Sequence, residues 1–117
     1  MAQQKIDIDI TNAGDYRVFK PSGDLDVYTV GSLRDAIGAV IEEENPRIVV
    51  DLDAVPFMDS SGLGALMGGV RRLREAGGDL AIACTREQHL KLFTITGFGE
   101  GVSIAPTVEE AAKGFKA

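Results

Sequence analysis

The sequence predicts an α/β protein: a mixed, mostly parallel sheet of about five strands with about four helices, in the order ββαβαβαβα. Three observations predict it. A period-2 alternation near the start, Ile6, Ile8 and Ile10 between polar residues, is the pattern of a strand with one wet face. The run "RIVVDL" at 47–52 is apolar nearly throughout, as expected of a strand covered on both faces. Apolar stripes at helical spacing separate the later strand candidates, and that alternation implies right-handed crossovers and a largely parallel sheet.

Taken in order, "KIDIDI" (5–10) is the first strand. "TNAGD" (11–15) is rich in turn formers, and "YRVFK" (16–20) follows as a second strand, so the pair forms an antiparallel hairpin that "PSGD" ends. Val30, Leu33, Ile37, Val40 and Ile41 then make one helical stripe, with Thr29 as N-cap. "EEENP" stops this helix, because Pro46 disfavours helical geometry in the residue before it.

After the strand at 47–52, Leu63, Leu66, Met67, Val70 and Leu73 define a second amphipathic helix, closed by Gly77 and Gly78. "DLAIAC" (79–84) is the fourth strand. In "TREQHLKLFTIT" (85–96), Thr85 with Gln88 three residues on reads as a capping box opening a third helix, which Gly97 ends. "GVSIA" is a short last strand, and "TVEEAAKGF" repeats the capping pattern with Thr107 and Glu110. No linker, repeat or low-complexity segment interrupts the 117 residues, so one domain spanning 1–117 is expected.

Composition narrows the function classes. A net charge of −6 argues against a nucleic-acid grip, which rests on clustered Lys and Arg. The one basic cluster, "RRLRE" at 71–75, falls late in a helix, where positive charge complements the dipole, and reads as a solvated helix end. Cys84 alone can form no internal bridge and reads as a buried small hydrophobe; no cofactor or metal site is expected. No stretch has the roughly 20 apolar residues a membrane span needs, and "MAQQKIDIDI" lacks the pattern of a secretory leader. A cytoplasmic protein, monomeric in isolation, is the expectation.

The chemistry concentrates in "FMDSSGLGAL" (57–66), the loop that leads from the third strand into the second helix. Loops at the carboxyl ends of parallel strands are where ligands and partners meet such folds. Three roles are open for its hydroxyls. Asp59 or Ser60 can cap the helix, an interaction worth about 1 kcal/mol. A serine could be a nucleophile, but the glycine two residues ahead that a G-x-S-x-G elbow needs is missing, and the one histidine, His89, reads as a half-buried structural residue. Nor is there a G-x-x-x-x-G-K-[ST] phosphate loop, so no enzyme is expected. Third, an exposed serine at a helix start can accept a phosphate, whose added charge of about −1.5 to −2 would act mainly on a partner.

The block "FMDSSGLG", with "VVDLDAV" before it and "GGDLAIAC" and "LFTITGF" after it, closely resembles bacterial anti-sigma factor antagonists, single-domain members of the STAS family. The resemblance runs over nearly the whole chain. It implies a partner switch: the unphosphorylated protein binds an anti-sigma factor with serine-kinase activity and so releases a sigma factor. Phosphorylation of Ser60, the first serine of the motif, switches that binding off, and a serine phosphatase resets it. Partner-binding positions implied by the resemblance are Asp26, in the "GDLD" turn at 23–26, with Asp59, Ser60, Ser61 and Gly62. For Asp26 a turn-forming or capping role is the alternative. A STAS scaffold, or a subunit associated with a membrane transporter, is the alternative for the whole chain.

Overall fold

The computed structural model describes residues 6–116, so Lys5 of the first predicted strand lies outside the described residues. Five strands form one sheet in the order β1-β2-β3-β4-β5: β1 (Asp7–Asn12), β2 (Arg17–Ser22), β3 (Arg47–Asp51), β4 (Asp79–Ala83) and β5 (Ile104–Ala105). β1 pairs antiparallel with β2, and every later pairing is parallel. The helices are α1 (Val30–Ile41), α2 (Ser60–Glu75), α3 (Glu87–Thr96) and α4 (Val108–Ala112), with a single 3-10 turn at Phe98–Glu100. The predicted order of elements holds throughout.

Because the strands advance across the sheet without reversing, right-handed crossovers put α1, α2 and α3 on one face. Alternation within the strands shows the split. Ile48, Val50, Leu80 and Ile82 join Leu33 and Ile37 of α1, Leu66 and Leu73 of α2 and Phe93 of α3 in the main core. Val49, Ala81 and Ala83 point the other way, onto Ala111 of α4. Three of those four side chains are alanines, so a five-residue helix can lie close to the sheet and cover it.

Several expectations are corrected. Ile10 lies on the same strand face as Ile6 but is exposed, because β1 is an edge strand that runs past the helices. Met67 belongs to the apolar stripe of α2 by spacing, yet is half exposed. Thr29 precedes α1 as predicted but makes no side-chain cap; its hydroxyl donates to the Asp24 carbonyl at 2.8 Å. The capping box at Thr85 does not form either. α3 begins two residues later, and the Thr85 hydroxyl bonds the Asp53 carboxylate instead. At Thr107 the N-cap half of the predicted box forms: its hydroxyl accepts from the Glu110 N–H at 3.2 Å. Gly97 ends α3 in the left-handed conformation, at φ 72°.

The basic stretch 71–75 is only partly a solvated helix end. Arg74 turns inward to the buried Asp79 carboxylate at 2.8 Å. Cys84 is buried as expected, and burial pushes its thiol pKa up. No described helix is long and apolar enough to cross a membrane.

Candidate functional site

The carboxyl ends of β2, β3 and β4 share one pole of the molecule, and the loops leaving them are tied together there. Leu25, in the loop after β2, is the joint. Its N–H donates to the Phe57 carbonyl at 2.9 Å, and its carbonyl accepts from the Asp59 N–H at 3.3 Å, forming a short parallel bridge to Met58. The Gly23 N–H adds a bond to the Ala54 carbonyl at 3.1 Å. Two stretches more than thirty residues apart, "GDLD" and "FMDSSG", thereby become one surface.

Gly62 makes this approach possible. A Cβ there would lie 2.6 Å from both the Leu25 carbonyl oxygen and the Met58 Cγ, closer than any side chain tolerates. The glycine that the resemblance places at the partner surface thus has a packing reason of its own. Gly64, by contrast, faces open space.

Asp59 settles the capping question. It sits in extended geometry before α2, and its Oδ1 accepts from the N–H groups of Ser61 at 2.8 Å and Gly62 at 3.2 Å. Two of the unpaired donors at the helix start are therefore satisfied by a carboxylate. Ser60, the first residue of α2, is exposed, and its hydroxyl has no hydrogen-bond partner among the described residues. Ser61 follows half-buried, its N–H committed to Asp59.

Asp26 folds its own turn: its Oδ1 accepts from the Tyr28 N–H at 2.9 Å, while its N–H donates to the Thr29 hydroxyl at 3.0 Å. It is brought to the serine pole through Leu25, its neighbour. Of the five residues singled out from sequence, all lie on this pole, though Asp59 and Gly62 are built into its framework.

Sequence reasoning missed two features. Large apolar side chains stand exposed around the serine: Val27, Tyr28 at 72 % exposure, and Phe57. They occupy loops, where no periodicity flags them. The other feature is the grip of α3 on the serine loop. Arg86 Nε donates to the Asp53 carbonyl at 2.9 Å, Gln88 Nε2 to the Pro56 carbonyl at 3.0 Å, and His89 Nε2 lies 2.6 Å from the Val55 carbonyl. His89 is fully buried, not half-buried as its helical position suggested. Its Nε2 is committed to the loop.

A groove of about 720 Å³ lies away from Ser60, between α3 and β5, and is lined by Leu90, Phe93, Ile95 and Ile104. Exposed apolar side chains beside acidic ones and a free hydroxyl are the features of a surface that meets a macromolecule.

This fold is that of the STAS domain family, whose model matches residues 7–111, and the chain belongs to that family. Within it, the chain is similar to proteins named for one role. It is 33% identical over 92 residues to the anti-sigma-B factor antagonist of Staphylococcus aureus (strain NCTC 8325 / PS 47), covering 79% of this chain and 85% of the relative. The crystal structure of an anti-sigma factor antagonist from Mycobacterium paratuberculosis superposes with a TM-score of 0.76 at 28% identity, over 92% of each chain. The Bacillus cell fate determinant SpoIIAA in its phosphorylated form superposes with a TM-score of 0.70 at 27% identity, over 92% of this chain and 97% of that one.

Proposed function

We propose that this protein is an anti-sigma factor antagonist whose binding is gated by phosphorylation of Ser60. The observation that carries the reading is the division of labour at the start of α2: Asp59 caps the helix and leaves the neighbouring Ser60 hydroxyl exposed and uncommitted. The names of the related proteins supply the partner class, an anti-sigma factor, and one of them exists in a phosphorylated form.

In the unphosphorylated state the pole that carries Asp26, Tyr28, Phe57 and Ser60 docks on an anti-sigma factor with serine-kinase activity, and the sigma factor is released. Reaction with ATP makes a bond from the Ser60 hydroxyl oxygen to the γ-phosphorus. The bond to the bridging oxygen breaks, ADP leaves, and the hydroxyl proton passes to a base on the kinase. The phosphoserine carries about −1.5 to −2 charge at neutral pH. At the helix N-terminus the dipole tolerates that charge, so the domain stays folded. At a protein interface the same charge, beside Asp59, must be desolvated and is repelled by any acidic neighbour, so the complex dissociates. A serine phosphatase returns the hydroxyl by transferring the phosphoryl group to water.

Intact-mass spectrometry of the protein from its native cells, with peptide mapping across residues 57–66, tests this. A mixture of unmodified and singly phosphorylated chains with the phosphate on Ser60 supports the switch. Unmodified protein under growth, stress and starvation alike moves the weight to a scaffold or transporter-associated role.

A further inference from the structure

The serine loop is held by α3 from behind, and the innermost contact comes from a side chain that the switch itself does not use. His89 is 1 % exposed, deep in the core, yet its Nε2 meets a backbone carbonyl at 2.6 Å. A carbonyl can only accept, so Nε2 carries the hydrogen and donates it. That carbonyl belongs to Val55, four residues ahead of the N-cap Asp59. Gln88 and Arg86 bond the carbonyls of Pro56 and Asp53, and the Asp53 carboxylate accepts from both the N–H and the hydroxyl of Thr85, at 2.7 and 3.0 Å. Every residue from Thr85 to His89 except Glu87 therefore contributes a donor to the stretch 53–56, which leads to Ser60.

A loop needs such ties to hold one conformation, since its backbone groups lack a ladder. An apolar side chain in place of His89 would fill the core but would leave the Val55 carbonyl buried without a donor. We propose that His89 is a positioning residue for the Ser60 switch: its donated hydrogen bond, with those of Gln88 and Arg86, makes α3 the template that sets the register of the serine loop and the presentation of Ser60. The role rests on Ser60 as the phosphoacceptor, although the ordering of the loop can be measured without that premise.

The test compares His89→Leu, His89→Gln and Gln88→Ala with the wild type by two readouts. The first is backbone hydrogen exchange over residues 53–59 relative to β3 and β4. The second is the kcat and KM of phosphate transfer from ATP to Ser60 by an anti-sigma kinase that binds the wild type. His89→Leu should speed exchange in 53–59 by about tenfold or more while β3 and β4 stay protected, because only the local opening equilibrium shifts. It should also lower kcat/KM about tenfold through misplacement of the acceptor. His89→Gln, whose amide can donate to the same carbonyl, should recover most of both losses. Gln88→Ala, an exposed change that leaves no cavity, should show a smaller loss of the same local kind.

Exchange that rises uniformly through the domain, no rescue by Gln, or wild-type behaviour of His89→Leu would each overturn the inference. Should the wild type take no phosphate on Ser60, the switch reading fails instead, and the exchange pattern alone decides whether α3 orders the loop.

Discussion

Asp59 and Asp79 stand at opposite poles of the molecule, each where a helix meets a strand connection, and they are used in opposite ways. Asp79 is 1 % exposed and accepts from three donors: Arg74 Nε at 2.8 Å, the Leu80 N–H at 2.9 Å and the Lys116 N–H at 2.7 Å. It locks the end of α2, the start of β4 and the C-terminal segment to one another. Asp59 is half-buried and accepts two N–H groups through a single oxygen, and the hydroxyl beside it is left free. The Asp79 carboxylate is saturated and closed from water, while the Asp59 pole leaves polar capacity at the surface, in loops that also expose Tyr28, Val27 and Phe57. The contrast separates an aspartate closed into the fold from one that caps a helix and leaves a hydroxyl free beside it. Residue type alone does not, because both precede an apolar run in the sequence.

The widest gap between the two poles should appear on truncation. Asp79→Ala strands three donors, one on a partly buried arginine, and should cost about 3 kcal/mol of unfolding free energy, since unpaired buried groups retain their full desolvation penalty. Urea denaturation reads this as a lowered midpoint at constant slope. A loss below that for Asp59→Ala would break the comparison.

Asp59→Ala should cost about 1 kcal/mol, the ordinary loss of an N-cap, because water reaches the helix start and replaces part of the bonding. Asp59→Asn sharpens the point. Asparagine caps as well as aspartate, so stability should be nearly unchanged while one negative charge beside Ser60 disappears. Calorimetric titration against the anti-sigma factor then isolates the contribution of that charge to binding.

A smaller effect is expected at Cys84, which follows β4 on the serine pole. Burial is the main cause of its raised thiol pKa, with the Asp53 and Asp51 carboxylates adding to it. A group whose folded pKa is raised contributes stability that is fully present below its ordinary value, 9.0 for this thiol, and is lost as pH rises through the folded one. Stability should therefore fall above about pH 9 and fall less in Cys84→Ala, as read from urea midpoints across the alkaline range.

How much of this was legible without coordinates differs between the two poles and between kinds of interaction. The span of α1, Val30–Ile41, follows from its apolar stripe, and the buried β3 from its continuous apolar run, because periodicity is a local signal. Ser60 and its neighbours could be placed from a short motif and its position after a strand. What the sequence does not carry is the choice of partner for a polar side chain. Thr85 and Gln88 stand three residues apart, as in a capping box, yet they bond Asp53 and Pro56, 32 residues away. Arg74 reads as a solvated charge until β4 brings Asp79 beneath it. Such bonds depend on which loops the fold apposes, and they leave no periodic trace along the chain.

Ser60→Ala should have the smallest effect on the fold and the largest on function. The hydroxyl caps nothing, since Asp59 holds the Ser61 and Gly62 amides, and alanine favours a helix more than serine does. Its unfolding free energy should stay within about 0.5 kcal/mol of the wild type, the usual range for an exposed substitution. The variant can take no phosphate at position 60, so it should bind the anti-sigma factor with the affinity of the unphosphorylated wild type and stay bound in the presence of ATP. Ser60→Asp should bind more weakly, though less so than the phosphoprotein, because it carries less charge. If Ser60→Ala instead lost as much stability as Asp59→Ala, the serine would be part of the cap. The two poles would then differ only in how deeply they are buried, and the free hydroxyl would no longer point to a switch.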